Sequence, residues 1–180
     1  QRQMCIRDRG GSAYISEQIW RQVVELKKVK PVVVSMGNVA ASGGYYISCA
    51  ANKIIAEPNT LTGSIGIFGM FPNASGLFGK LALTTDIVKT NTFSDLGDLS
   101  RPMTESEKAL IQGYVERGYQ TFLSRCAEGR GMTTEAVNAI GQGRVWTGEQ
   151  AKERGLVDEL GGIELAISTA AGLSLIHISE

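Results

Sequence analysis

The stretch KPVVVSMGNVAASGGYYISCAA, residues 30–51, decides the fold of this 180-residue chain and contains its candidate reactive residue. Its β-branched run at 32–34 predicts a buried strand, a Gly-Asn pair interrupts that strand, and residues 40–51 predict a short helix. Ser42 therefore lies at a strand-to-helix junction. The first N–H groups of a helix have no intrahelical partner and carry the positive end of the helix dipole. A developing oxyanion requires donors of this kind.

Ser42 has two interpretations that the local sequence leaves open. A serine at a helix start is commonly an N-cap, whose hydroxyl accepts a hydrogen bond from the backbone. The following Gly43 and Gly44 weaken that interpretation, because each costs about 1 kcal/mol relative to alanine in a helix. Bare backbone at these positions also allows a ligand to approach closely. The second interpretation is therefore a nucleophile.

Composition narrows the classes of function. The 18 basic and 18 acidic residues cancel, which disfavours a nucleic-acid surface. Three cysteines without metal-ligand spacing predict neither a disulfide framework nor a metal site. No phosphate-binding glycine motif follows a strand, so we expect no nucleotide and no other cofactor. The length suits one domain with a real core.

Along the chain, predicted strands alternate with predicted helices. Helices are expected at 15–29, 40–51, 73–81, 104–128, from 133 or 134, after the capping box at 147–150, and after 162. Strands are expected at 31–36, 53–56, 85–89 and 156–157, with a glycine-spaced extended segment at 62–68. Alternation of this kind predicts βαβ units and an α/β fold with a mainly parallel sheet.

Both ends depart from this pattern. Residues 1–9 show no strand pattern, although the helix after them should follow a strand. Residues 173–180 alternate where a helical pattern should continue. We interpret both tails as non-native sequence, which leaves a domain of residues 10–172. His177, the only histidine, lies in the second tail.

A serine nucleophile needs a base, which is usually a histidine held by a carboxylate. The position of His177 excludes that triad, and Ala40 replaces the first glycine of the Gly-x-Ser-x-Gly elbow. A lysine remains, provided that burial lowers its pKa. The candidates after the serine are Lys53, Lys80, Lys89 and Lys108, of which Lys89 is the best internal one because it ends an apolar strand. For each of them, a solvated surface lysine is the commoner state.

Six segments together resemble a known family. They are GGS at 10–12, KPVVVSMG at 30–37, AASGGYY at 40–46, TGSIGIFG at 62–69, and GRVWTGEQA with GLVD at 143–151 and 155–158. The chain is similar to the signal peptide peptidase A family, peptidase family S49, over nearly all of 10–172. This resemblance implies a ClpP/crotonase-like fold, a Ser–Lys dyad and a homo-oligomer. It also implies hydrolysis of hydrophobic leader peptides at the bacterial inner membrane, with the catalytic domain facing the periplasm.

The resemblance assigns roles to individual residues. Ser42 would be the nucleophile, and the N–H of Gly43 with an N–H from Gly10 or Gly11 would form the oxyanion hole. The segment Gly63, Ser64, Ile65, Gly66 and Ile67 has little side-chain bulk at its glycines, so an extended peptide could add to it as a strand. A plain core strand is the equal alternative for that segment.

Two departures from the family pattern shape the interpretation. Arg7-Asp8-Arg9 precede the glycine pair where the family has Asp-Ser-Pro or a similar run. By the resemblance, short members carry their lysine near Phe93-Ser94-Asp95, where this chain has Ser94. Long, two-domain members fit better, because their carboxyl-terminal half supplies the serine and their amino-terminal half the lysine. The chain therefore resembles such a carboxyl-terminal half, which alone should have little activity and needs the amino-terminal half as a partner.

Two other classes of function remain open. A crotonase-type acyl-CoA enzyme shares the fold and holds a thioester oxyanion with two backbone N–H groups, without a need for Ser42. A non-catalytic scaffold domain could keep the same fold. Acyl-CoA binding without labelling by a serine-reactive phosphonate would indicate the first of these.

Overall fold

The computed structural model describes residues 8–176. Within them the chain divides into two compact units, one formed by the residues up to Ile67 together with those from Gly118 onward, and a second formed by Phe68–Arg117. The helices and strands, in chain order, are α1 (Ala13–Lys27), β1 (Val33–Met36), β2 (Val39–Ala41), α2 (Gly43–Ser48), β3 (Lys53–Ala56), β4 (Leu61–Gly63), α3 (Ser75–Lys80), α4 (Glu105–Arg130), α5 (Thr134–Ile140), β5 (Val145–Thr147), α6 (Gly148–Glu153), β6 (Glu159–Leu160) and α7 (Ile163–Ile176).

The first unit contains two three-stranded sheets. The order in one sheet is β1-β3-β6, with both pairs parallel, and the order in the other is β2-β4-β5. β2 pairs parallel with β4, whereas β5 pairs antiparallel with β4. The expected α/β fold with mainly parallel strands is confirmed, with β5 as the exception. Within residues 8–176, β1 has a strand neighbour on one side only.

The helix predicted at 40–51 is wrong at both ends. Val39–Ala41 form β2, because Ala40 and Ala41 lie in register with Thr62 and Gly63 of β4. Pairing between distant strands overrides the weak helical preference of two alanines. The helix that remains is α2, and nearly all of it is buried.

Two of the predicted strands are wrong as well. Residues 85–89 form no strand in the second unit. The strand predicted at 156–157 instead lies at Glu159–Leu160. The reason is Asp158, whose N–H donates to the Ile54 carbonyl at 2.9 Å and whose carboxylate accepts the Ile54 N–H at 2.7 Å. These two bonds join the chain to β3 just before the strand pairing begins.

The last helix continues through residues 173–176, so alternation there does not end it. The predicted tail residues 177–180, with His177, and residues 1–7 lie outside the described part of the chain.

The core of the first unit surrounds α2. The buried Tyr45 hydroxyl donates to the Leu156 carbonyl at 2.9 Å. On α4, a Cβ at Gly129 would collide with the Cys49 carbonyl oxygen, so only glycine allows this approach. The short helix α2 is therefore held from several directions.

The second unit is organised around ion pairs. Arg101 contacts the carboxylates of Asp95 at 2.7 Å and Glu107 at 2.6 Å. Glu107 also accepts hydrogen bonds from the Thr104 N–H and hydroxyl, which gives the predicted capping box at the start of α4. Among residues 8–176, no helix is both long and apolar enough to cross a membrane.

Candidate functional site

Ser42 occupies the N-cap position of α2 in an unusual backbone conformation. Its φ is 53° and its ψ is −118°, whereas an N-cap residue normally has extended backbone. Its hydroxyl makes no capping hydrogen bond. Non-glycine residues held in sparsely populated regions cost about 1–3 kcal/mol each and occur preferentially at functional sites. Ser42 is therefore not an ordinary N-cap.

Two backbone hydrogen bonds hold Ser42 in this conformation. The Ser42 N–H donates to the Gly63 carbonyl of β4 at 2.9 Å, and the Tyr46 N–H donates to the Ser42 carbonyl at 2.8 Å. The first bond continues the β2–β4 pairing and the second closes the first turn of α2. The chain must therefore turn sharply at one residue, which leaves the half-buried hydroxyl outside the helix hydrogen-bond pattern.

Gly10 lies directly against this turn. A Cβ at Gly10 would collide with the backbone nitrogen of Gly43 and would lie 2.9 Å from the Ser42 Cβ and 3.1 Å from the Ser42 Oγ. Gly10 and Gly11 have φ values of +81° and +152°, which favour glycine. The structure thus brings Gly10, the first residue of the glycine pair before α1, together with the Ser42–Gly43 turn.

Ser16 also packs against the site, and the sequence analysis did not identify this residue. It is 1% exposed, and its hydroxyl donates to the Ser12 carbonyl at 3.0 Å. A Cβ at Gly43 would lie 2.7 Å from the Ser16 Oγ. A small polar residue on the buried face of an otherwise amphipathic helix is the signal that could have identified this close approach.

The predicted substrate segment begins inside a sheet. Gly63 belongs to β4, which has β2 on one side and β5 on the other. The strand ends there, because Ser64 has a φ of +49°. The extended segment expected at 62–68 is therefore a strand only as far as Gly63, and its paired part offers no free edge to a peptide.

Beyond Gly63, the segment follows the chain that leads into β5. The Ser64 N–H donates to the Arg144 carbonyl at 2.7 Å, and the Ile65 carbonyl accepts the Gly143 N–H at 2.9 Å. A Cβ at Gly66 would lie 2.8 Å from the Gly143 nitrogen. Ile65 is buried. One edge of 64–66 is thus occupied by the protein's own backbone.

The four candidate lysines do not occupy the buried environment that a lysine base requires. Lys53 lies 3.8 Å from the Glu159 carboxylate, Lys89 3.0 Å from Asp95, and Lys108 2.7 Å from Glu105. Each of these three side chains is at least 39% exposed, and Lys80 is exposed as well.

Ser94 is the residue that the sequence analysis places near the expected lysine of short members. Its hydroxyl donates to the Asn91 carbonyl at 2.9 Å. Within the described chain, no group of three or more histidine, cysteine, aspartate or glutamate side chains is arranged to hold a metal ion.

A cleft of about 710 Å³ lies beside the first unit's strands and reaches Arg9 and Ala40, which are close neighbours of Gly10 and Ser42 in the chain. Apolar side chains line it, among them Ile19 and Val23 of α1, Val34 and Met36 of β1, and Val39 of β2. Ser42 does not contribute to its lining. The cleft therefore borders the turn, whereas the contacts around Ser42 itself are made by the backbone of Gly10, Gly43 and Gly63.

Comparisons with known proteins agree on one family. The family model described as Peptidase family S49 matches residues 24–176. Protease 4 of Salmonella typhi is 42% identical over 92% of this chain and 27% of its own length. The chloroplastic serine protease SPPA of Arabidopsis thaliana is 40% identical over 89% of this chain and 24% of its own. A putative signal peptide peptidase SppA of Enterococcus faecium is 39% identical over 89% of this chain and 47% of its own.

The chain thus spans between a quarter and a half of the length of these relatives. Among solved structures, a mutant of ClpP1 from Listeria monocytogenes superposes with a TM-score of 0.50 at 19% identity, covering 85% of this chain and 68% of that one. This likeness supports the ClpP/crotonase-like fold.

Proposed function

Because this chain belongs to peptidase family S49, we propose that Ser42 is the nucleophile of a serine peptidase of the Ser–Lys type. The single observation that carries the proposal is the strained Ser42 turn, whose hydroxyl is not used as a helix cap and lies against Gly10. A protein retains such strain where the surrounding structure imposes it, commonly at a functional site.

The proposed reaction follows from this geometry. The Ser42 hydroxyl attacks the scissile carbonyl while a neutral lysine takes its proton. The negative charge on the carbonyl oxygen is stabilised by the N–H of Gly43 and by an N–H of Gly10 or Gly11. The protonated lysine then gives its proton to the leaving amine, and water hydrolyses the acyl-enzyme by the same route in reverse.

The lysine is proposed to come from an amino-terminal half that is not part of this sequence. Ion pairs and exposure at the internal lysines support this assignment. Residues 1–9 and 173–180 are proposed to be non-native because their sequence departs from the expected pattern, although α7 continues to Ile176. The isolated chain is proposed to have an intact serine turn with little peptidase activity. General-base assistance is typically worth about 10²–10⁴-fold.

The substrates are proposed to be hydrophobic leader or signal peptide remnants. An extended peptide would bind along Ser64–Ile67 at the edge that Arg144 and Gly143 do not occupy. A homo-oligomer associated with the bacterial inner membrane, with the catalytic domain in the periplasm, completes the proposal by analogy with the family.

The deciding experiment measures hydrolysis of a hydrophobic peptide ester by three samples. They are the chain alone, the chain with an amino-terminal half from a long family member, and that mixture carrying Ser42→Ala. We expect activity only in the second sample. As a further sample, a Ser94→Lys variant of the chain alone tests the short-form arrangement and should raise turnover above that of the unmodified chain.

Each other outcome identifies a different error. Robust turnover by the chain alone that is lost in Lys89→Ala would mean that the dyad is internal. Activity that survives Ser42→Ala would remove the nucleophile assignment. Acyl-CoA binding without phosphonate labelling would favour a crotonase-type enzyme. The absence of both acyl-CoA binding and phosphonate labelling would favour a scaffold domain.

A further inference from the structure

The two glycine elements of the proposed oxyanion site belong to different helix starts. Gly10 and Gly11 precede α1, and Gly43 begins α2. The contact between Gly10 and Gly43 depends on how α1 packs against α2, because a glycine has no side chain that could hold it in place. The residues that join the two helices one turn further along are therefore of particular interest.

Glu17 of α1 and Tyr46 of α2 make this connection. The Tyr46 hydroxyl donates to the Glu17 Oε2 at 2.5 Å. Tyr46 is also the residue whose N–H donates to the Ser42 carbonyl, and Glu17 follows Ser16, which lies against Gly43. Each partner is thus one step from the proposed site on its own helix.

Arg125 of α4 adds a third helix to the connection. Its Nη2 lies 2.8 Å from the Glu17 Oε1, and its Nε donates to Oε2 at 3.3 Å. The same guanidinium lies 4.1 Å above the centre of the Trp20 ring. A paired, two-point contact of this kind fixes the direction of the carboxylate as well as its charge.

Glu17 is ionised at neutral pH. Burial alone would raise the pKa of Glu17, but hydrogen bonds from Arg125, Tyr46 and Arg21 lower it below its ordinary value. The Tyr46 hydroxyl stays protonated, because burial and the neighbouring Glu17 carboxylate raise the Tyr46 pKa. The hydrogen bond between the helices is therefore charge-assisted.

We propose that Glu17 and Tyr46 are positioning residues, whose hydrogen bond sets the placement of Gly10 and Gly11 against Ser42 and Gly43. This inference rests on the proposed function for its catalytic consequence. A misplacement of about 1 Å at a reacting centre can cost about 10²-fold in rate. A hydrogen bond between the two helix starts is well placed to prevent such a slide.

The alternative is that the network only stabilises the fold, and a matched pair of variants separates the two. Tyr46→Phe removes one hydroxyl and keeps the ring that packs 4.7 Å from Phe122. Tyr45→Phe removes the neighbouring hydroxyl of the same helix, whose hydrogen bond goes to the Leu156 carbonyl and not to α1. Both variants lose one tyrosine hydrogen bond, but only the first loses the hydrogen bond that links α1 to α2.

The first measurement uses the chain as it exists and needs no activity. Backbone amide NMR shifts of Gly10, Gly11 and Gly43 are compared in the wild type and in both variants. Tyr46→Phe should shift these three amides, and Tyr45→Phe should leave them near their wild-type positions at a comparable loss of melting temperature. Unshifted glycine amides in Tyr46→Phe, or equal shifts in both variants, would overturn the proposal.

The second measurement uses the chain combined with an amino-terminal half, where Ser42-dependent activity is established. Tyr46→Phe and Glu17→Gln should lower kcat by about tenfold or more and weaken inhibition by a peptide boronate, while KM changes little. Wild-type kcat and boronate inhibition in both variants would contradict the inference. If activity instead survives Ser42→Ala, the proposed function fails, and the NMR comparison still decides whether the network positions the glycines.

Discussion

The starts of α2 and α6 place the same kind of residue in the same position and use it differently. Thr147 has φ −71° and ψ 161°, its hydroxyl accepts the Gln150 N–H at 3.2 Å, and the Gln150 side chain accepts the Thr147 N–H. Ser42 has φ 53° and ψ −118°, and its hydroxyl caps nothing. The difference teaches that a hydroxyl at a helix start either caps the helix or is left outside the capping pattern, depending on the backbone conformation that carries it.

Removal of the Ser42 hydroxyl should lower activity, whereas removal of the Thr147 hydroxyl should lower stability. The difference in activity between these two variants is the largest effect that we expect. In the assembly with an amino-terminal half, Ser42→Ala should lower hydrolysis by roughly 10⁴-fold or more, as loss of a nucleophile does elsewhere. Thr147→Ala should leave activity unchanged and cost about 1 kcal/mol in the free energy of unfolding. Peptide hydrolysis and urea unfolding of both variants test this. More than a few per cent of activity in Ser42→Ala would end the contrast.

A methyl group added at Gly10 tests the contact of Gly10 with Ser42 and Gly43, which distinguishes the start of α2 from that of α6. Gly10→Ala should lower activity by about 10²-fold, comparable to loss of an oxyanion donor, because the new Cβ would displace Gly43. Gly131→Ala is the matched control, since Gly131 has φ +63° and open space around it. It should cost about 1 kcal/mol of stability without loss of activity. Equal kinetic effects of the two variants would mean that backbone strain, and not the contact, matters.

Glycine at the two N-cap positions should move stability in opposite directions. Ser42→Gly should raise the free energy of unfolding by about 1 kcal/mol, because relief of backbone strain exceeds the added entropy of the unfolded chain. Thr147→Gly should lower it by a few tenths of a kcal/mol. Chemical denaturation measures both. A destabilised Ser42→Gly variant would show that the turn is not strained.

The capping box at the start of α4 differs from the box at α6 in its dependence on pH, and this is the smallest effect that we expect. A hydrogen bond from Arg101, together with the Thr104 N–H, lowers the pKa of Glu107 from 4.5 to about 2. Its contribution to stability is therefore complete above pH 4.5 and is lost as the pH falls towards 2. The neutral Gln150 makes the same box at α6. The Thr104 amide shift of the folded chain should therefore titrate with a midpoint at a pH of about 2, the folded-state pKa of Glu107, while the Thr147 shift stays constant. Glu107→Gln should abolish the titration.

Sequence reasoning identified the elements whose signals are local. The capping boxes at Thr104 and Thr147 are present, and so is the junction at Ser42. It missed β2, because two alanines carry no strand signal and are placed in the sheet by β4. It also missed Ser16 and the Tyr46–Glu17 bond, whose partners are far apart in the sequence.

The sequence by itself determined the alternation of helices and strands, the α/β class and the family, because these follow from periodicity, capping residues and motifs within short segments. Only the tertiary structure decided the conformation of Ser42 and its contact with Gly10. The Ser42 N–H is held by Gly63 on β4, and Gly10 is brought to Gly43 by the packing of α1 on α2. Both depend on contacts between distant residues, which no local preference specifies.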